Sequence, residues 1–134
     1  MRNKPEILKK YEKLVEQGNP IFLTTYTIAE IYVGFSDGKF KQENLTKMLI
    51  QEKFFNEMIF KLKIQERIIS LDFNDAKVFG ELIHLLNHKG TPISIMGLLI
   101  GAIAYSKNLI LISSDQNHFD VLKDVKENFK VEYW

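Results

Sequence analysis

Cysteine is absent from the 134-residue chain. That excludes disulfide staples, thiolate zinc sites and a cysteine nucleophile. Arginine is scarce: Arg2 and Arg67 are the only two. With lysine supplying the rest of the positive charge, bidentate guanidinium forks on phosphate or guanine are nearly excluded. Neither sign of charge dominates, since 18 basic and 17 acidic side chains leave a formal charge of +1. Bulk charge therefore announces neither a nucleic-acid nor a membrane partner, although a local patch stays open. No apolar run is long enough to span a bilayer. The longest, residues 93–105, is interrupted by Ser94, Gly97 and Gly101 and suits a buried helix. Residues 1–10 are polar and lack the apolar stretch of a signal peptide, so a cytoplasmic location is expected.

What is present is an ordinary globular balance, 46% hydrophobic and 26% charged. The length suits one domain over residues 1–134, large enough to bury a core without staples. There is no internal repeat, low-complexity segment or linker.

Hydrophobic spacing and capping residues predict an alternation of helices and strands. Asn3, Pro5 and Glu6 open a helix carrying Ile7, Leu8, Tyr11, Leu14 and Val15 at helical spacing, and Gly18-Asn19-Pro20 stops it. Residues 21–25 read as a first strand. Thr27-Ile28-Ala29-Glu30 has the pattern of a capping box opening a short helix that ends near Gly34, before a turn at Ser36-Asp37-Gly38. From Phe40 to Leu62 the pattern is helical again, as one helix or two. Its apolar stripe is Leu45, Met48, Leu49, Phe55, Met58, Ile59 and Leu62, widened by Phe54 and Phe60. Residues 68–71 form a second strand.

Asp72 caps the next helix, with Ala76, Phe79, Leu82, Ile83 and Leu86 inward and Gly90 closing it. Ser94 caps a helix that is apolar on nearly all sides. Residues 109–113 are a third strand, 115–119 a loop, and a short helix to about Asn128 precedes a last strand at 129–133. Strands alternating with helices argue for a parallel sheet covered on both faces. Chemistry in such sheets gathers at the carboxyl ends of the strands. Those ends are residues 25–30 and 113–118, together with the helix start at Ser94.

Glu30 follows the first strand by one short turn. It is either a carboxylate for a hard divalent ion or the return arm of the Thr27 capping box. Asp115 follows the third strand in the same way, as a second metal carboxylate, as the cap of the next short helix or as a turn former. Both acids fall at the same edge of the expected sheet, which neither capping role requires. His118 stands beside Asp115, a loop hydrogen-bonder or a general base. His84 and His88 lie four apart, at metal-ligand spacing, but also in a last helical turn where histidine suits the dipole. Lys89-Gly90-Thr91 lacks the glycine spacing of a phosphate loop. The aromatic surface at residues 40–62 is core or, as a second reading, a dimer face.

Taken in order, several segments resemble the PIN-domain family, in particular the VapC-like toxin ribonucleases. They are Phe22-Leu23-Thr24-Thr25-Tyr26-Thr27-Ile28-Ala29-Glu30-Ile31-Tyr32-Val33-Gly34, Gly90-Thr91-Pro92-Ile93 with Leu98-Leu99-Ile100-Gly101-Ala102, Ile110-Leu111-Ile112-Ser113-Ser114-Asp115-Gln116-Asn117-His118-Phe119, and Val131-Glu132-Tyr133-Trp134. The resemblance implies a PIN-like three-layer α/β fold, with a parallel sheet of about four strands flanked by helices. It implies a metal-dependent RNA endonuclease in which clustered carboxylates hold Mg²⁺ or Mn²⁺ to activate water and neutralise the scissile phosphate. Glu30 matches the second family acid and Asp115 the fourth, so both are expected as catalytic and metal-binding residues, with His118 and Ser94 as auxiliaries. Implied partners are RNA, an antitoxin protein and a second copy of the chain.

Two departures bear on activity. Family members begin with a strand ending in an Asp-Thr-Asn-like motif, whereas this sequence starts in what resembles the helix after it. The central first strand and its acid are therefore expected to be missing, with Met1 a truncated start. The family also carries an aspartate where this chain has Gly97, a lost acid position. Two carboxylates where the family uses up to four predict weak or lost catalysis. The alternatives are a non-enzymatic binding or dimerisation protein, or a truncated gene product. Glu30 and Asp115 are expected to lie together with Ser94 and Gly97 along one cleft. Strand 21–25 is expected beside strand 109–113, or across a gap filled by another chain.

Overall fold

The structure is a computed structural model and describes residues 4–38, 45–90 and 93–134. The expected cap Asn3, the expected helix start at Phe40 and the turn residues Thr91 and Pro92 lie outside the described residues. In chain order the elements are α1 (Lys4–Glu16), β1 (Leu23–Thr24), α2 (Thr25–Gly38), α3 (Leu45–Ile64), β2 (Ile68–Ile69), α4 (Phe73–Lys89), α5 (Ile95–Ser106), β3 (Leu111–Ser113), α6 (Gln116–Val125) and β4 (Val131–Tyr133). The chain divides into two compact units, residues 20–70 and residues 1–19 with 71–134.

In the unit of residues 20–70, β1 and β2 run parallel with Leu23 opposite Ile68 and Thr24 opposite Ile69. Thr24 starts α2: its Oγ1 accepts from Thr27 N–H at 3.0 Å, and the two hydroxyls bond at 2.9 Å. The cap therefore sits three residues before the expected Thr27. Thr27 spends its own amide and hydroxyl on Thr24, so it does not form a box with Glu30. The helix also runs on past Gly34 through the expected turn to Gly38. Nothing at Gly34 forces a stop, because its φ is not positive and a side chain there would meet open space.

α3 is one helix. Phe55 and Leu62 are buried, and Phe55 packs its ring against Tyr32 and Phe35. Leu49, Ile50, Phe54, Phe60 and Ile64 are each at least half exposed. The expected single stripe is thus split, with Leu49 on the solvent side rather than in the core.

In the other unit, β3 and β4 run parallel, with Leu111, Ile112 and Ser113 opposite Val131, Glu132 and Tyr133. Their inner face packs on a core of Leu82 and Leu86 from α4, Leu98 and Ala102 from α5, and Phe119, Leu122 and Phe129. Ala76, expected inward, is exposed. α5 is buried at Leu98 and throughout 100–104, as an all-round apolar helix should be. It packs closely at Gly101, where an added Cβ would lie 2.9 Å from Leu122 Cδ1.

Asp72 caps α4 in a reciprocal box with Asp75, and Gly90 ends it in the left-handed region at φ 72°. The segment expected as a loop at 115–119 is instead mostly helix, since Asp115 caps α6 at Gln116. The four expected strands are present and parallel, but they pair as two two-stranded sheets, β1 with β2 and β3 with β4. Of the two arrangements expected for the first and third strands, direct pairing with each other is not among these ladders. With strands of two or three residues, each ladder closes on the partner that its own helices bring alongside. No described strand joins the two ladders. Among the described residues no helix is long and apolar enough to cross a membrane.

Candidate functional site

The parallel register of β3 and β4 sets Tyr133 opposite Ser113. Chain direction then carries Ser113 straight into Asp115 and α6, so the carboxyl end of this sheet collects polar side chains. Asp115 N–H donates to Ser113 Oγ at 3.0 Å. The Asp115 carboxylate accepts from His118 N–H at 3.4 Å and is also bonded to the His118 ring through Nδ1. The hydrogen bond from the His118 side chain holds the Asp115 carboxyl below the usual carboxylate range; desolvation opposes it in part, and the His118 backbone bond adds a smaller lowering. Both side chains are about half exposed. The imidazole is engaged at Nδ1, and among the described residues Nε2 has no hydrogen-bond partner.

Asp120 and Tyr133 extend this cluster and were not singled out from the sequence. Tyr133 Oη donates to Asp120 Oδ1 at 2.6 Å. Burial, and then the Asp120 carboxylate, push the phenol well above its ordinary range, so it stays a donor. The signal available in the sequence was the pairing register, because only a parallel β3–β4 ladder carries Tyr133 to the Asp115 end.

Ser94 lies at the start of α5. Its Oγ accepts from Gly97 N–H at 3.1 Å, so it is the cap expected of it. Gly97 is the third residue of that first turn. A side chain there would place Cβ 3.0 Å from Ser94 Oγ and no nearer than 3.8 Å from Ile93. The one close neighbour is a rotatable hydroxyl, so an aspartate can be accommodated with a shift of a few tenths of an ångström. It would then sit at the position that completes a capping box and favours negative charge.

Glu30 lies in the other unit, on α2, exposed and without a hydrogen bond or ion pair among the described residues. Its carboxylate is free of the capping role that the sequence left open for it. His84 and His88 stack edge to face with ring centroids 4.6 Å apart. Among the described residues no group of three or more His, Asp and Glu could hold a metal ion. At the β3 end, Asp115 is committed to the start of α6 and to His118, and Asp120 accepts from Tyr133. This donor set does not fit Mg²⁺ or Mn²⁺, which need several hard oxygen ligands around one point.

A second acidic constellation was also missed. Asp75 is fully buried, accepts from Asp72 N–H at 3.0 Å and pairs with Lys107 Nζ at 3.1 Å. Lys107 also reaches Asp72 at 2.7 Å. The helix pattern alone marks Asp75 as a first-turn acid, and only the approach of the α5 C-terminus makes it buried. It ties α4 to α5 and is structural.

No protein-family model matches this sequence, and no curated protein matches it. Solved structures do. One is VapBC2 from Rickettsia felis bound to a DNA fragment from its promoter, at 26% identity and a TM-score of 0.67. The match covers 94% of this chain and 84% of that one. A second is DNA-bound VapBC from Salmonella typhimurium, at 21% identity and TM-score 0.71, covering 98% of this chain and 87% of that one. A third is VapBC-5 from Mycobacterium tuberculosis, a member of the VapBC family of toxin-antitoxin systems. It matches at 23% identity and TM-score 0.63, over 84% of this chain and 79% of that one.

Proposed function

We propose that this chain, whose PIN-like α/β fold is that of the VapBC structures it matches, is a VapC-like toxin-type protein that pairs with an antitoxin. By descent it is a Mg²⁺- or Mn²⁺-dependent RNA endonuclease of the cytoplasm, with weak or lost catalysis. The observation that carries the reading is the match to VapBC structures along nearly the whole chain. Glu30 and Asp115 are the acids inherited at the positions of the family site, and Gly97 is the place of one that has gone. Gly97 stands in the first turn of α5, where no positive φ calls for glycine and an added side chain would closely meet only the Ser94 hydroxyl.

One observation favours the second reading, a protein that acts by binding alone. Leu49, Ile50, Phe54, Phe60 and Ile64 are exposed along α3. A groove of about 710 Å³ runs there, lined by Leu49, Glu52, Lys53, Asn56, Glu57, Phe60 and Lys61. Apolar surface of this kind marks a protein contact, and a second copy or an antitoxin would cover it.

The test is cleavage of a panel of single-stranded RNAs with and without Mg²⁺ or Mn²⁺. It compares the unmodified chain, Gly97→Asp, and a Gly97→Asp form extended at the N-terminus by a strand carrying an aspartate. The unmodified chain should cleave little or not at all. Gly97→Asp should bind Mn²⁺ more tightly, and the extended form should recover the most cleavage. Robust metal-dependent cleavage by the unmodified chain, abolished by Glu30→Ala or Asp115→Ala, would refute the impaired-enzyme reading. Co-purification with the product of a neighbouring gene, in a complex of defined stoichiometry, tests the antitoxin.

A further inference from the structure

We infer that Asp115 serves in this chain as the cap of α6 and the holder of the His118 imidazole, and no longer as a ligand of a divalent ion. The inference rests on reading the carboxyl end of β3 as the remnant of a nuclease site. It adds what that remnant now does.

Every polar group of Asp115 is used inside its own turn. Its amide donates to Ser113 Oγ at 3.0 Å. Its carbonyl accepts from Phe119 N–H at 3.3 Å. Its carboxylate receives the His118 amide at 3.4 Å, and the His118 ring through Nδ1. An ion approaching this carboxylate would have to share or displace the imidazole.

The other acid of this cluster already meets a donor on one carboxylate oxygen. Asp120, the nearest along α6, accepts the Tyr133 hydroxyl at 2.6 Å. A hard divalent ion held by protein alone needs several carboxylate or carbonyl oxygens converging on it. Here each acid instead meets a single fixed donor side chain, His118 or Tyr133. The arrangement is consistent with itself as a folded-state device: the cap satisfies an orphan amide of α6. The imidazole is held with Nδ1 inward.

Asparagine separates the two roles, since it caps a helix as well as aspartate does but lacks the charge that a divalent ion requires. The experiment measures melting temperature and Mn²⁺ binding by electron paramagnetic resonance for the unmodified chain, Asp115→Ala, Asp115→Asn and His118→Ala. Asp115→Ala should lower the melting temperature by about 4 °C, from a cap worth ~1 kcal/mol. Asp115→Asn should lower it by less than half as much. Mn²⁺ at millimolar concentration and EDTA should leave all four melting temperatures where they are, with no bound Mn²⁺ signal.

Saturable single-site Mn²⁺ binding that disappears in Asp115→Asn would overturn the inference. So would an Asp115→Asn variant as unstable as Asp115→Ala. Pairing with an antitoxin is measured without metal. Its failure would strike the toxin-type reading and leave the role of Asp115 standing, and the reverse also holds.

Discussion

Lys107→Met should destabilise the unit of residues 1–19 with 71–134 by about 3 kcal/mol, lowering its melting temperature by about 10 °C. Lys107 caps the C-terminal end of α5 and reaches the first turn of α4. There it meets Asp72 at 2.7 Å and the fully buried Asp75 at 3.1 Å. Taking the ammonium away leaves a buried carboxylate with one backbone amide for company. Breaking a buried pair from one side is costly for that reason, even where replacing both partners by apolar groups would not be.

The variant should also change the pH dependence. Asp72 is held below the usual carboxylate range, first by the Lys107 hydrogen bond and next by the Asp75 amide. Its contribution is present above about pH 4 and is lost as pH falls through the lowered value. Lys107 is raised, first by the Asp72 hydrogen bond. Its contribution is present below about pH 10 and is lost as pH rises through the raised value. Urea titrations between pH 2 and pH 11 should show both flanks shallower in Lys107→Met than in the unmodified chain. An unchanged midpoint at pH 7 would show that the triad adds nothing to the fold.

Gly101→Val should be comparably damaging, at about 3 kcal/mol, for a steric reason. α5 approaches α6 so closely that a Cβ at position 101 would lie 2.9 Å from Leu122 Cδ1 and 3.6 Å from the Phe129 ring. Leu122 is fully buried and Phe129 nearly so, which leaves them little room to move. Overpacking a filled core typically costs 1–3 kcal/mol, occasionally more. Gly101→Ala should suffer less, because the gain in helix propensity of about 1 kcal/mol offsets part of the clash. The diagnostic is a double-mutant cycle. Leu122→Ala alone creates a cavity and is itself destabilising by about 2–5 kcal/mol. Combined with Gly101→Val, the two should cost clearly less than their sum, since shortening the side chain at 122 opens the space that the larger one at 101 needs. Additive losses in chemical denaturation would mean that the two side chains do not share one space.

The chain's own residues determined the helix caps at Asp72 and Ser94, the left-handed stop at Gly90 and the inward positions Leu82 and Leu86. These features depend on bonds and spacings within a few residues, where the side chain and its local backbone suffice. The PIN-like resemblance was legible for the same reason, as an ordered string of such local patterns.

Three matters were decided only when distant segments met. Thr24 took the cap of α2 from Thr27, because β1 pairs up to Thr24 and leaves its hydroxyl at the helix mouth. The four strands closed as two ladders, because strand pairing is a long-range choice that residue pattern does not encode. Asp75 became a buried charge, and Tyr133 came to bond Asp120, through contacts 32 and 13 residues apart in the chain. A carboxylate has the same local signature whether it caps a helix, binds an ion or answers a buried lysine. What separates those roles is the set of charges and donors brought to it from elsewhere in the fold.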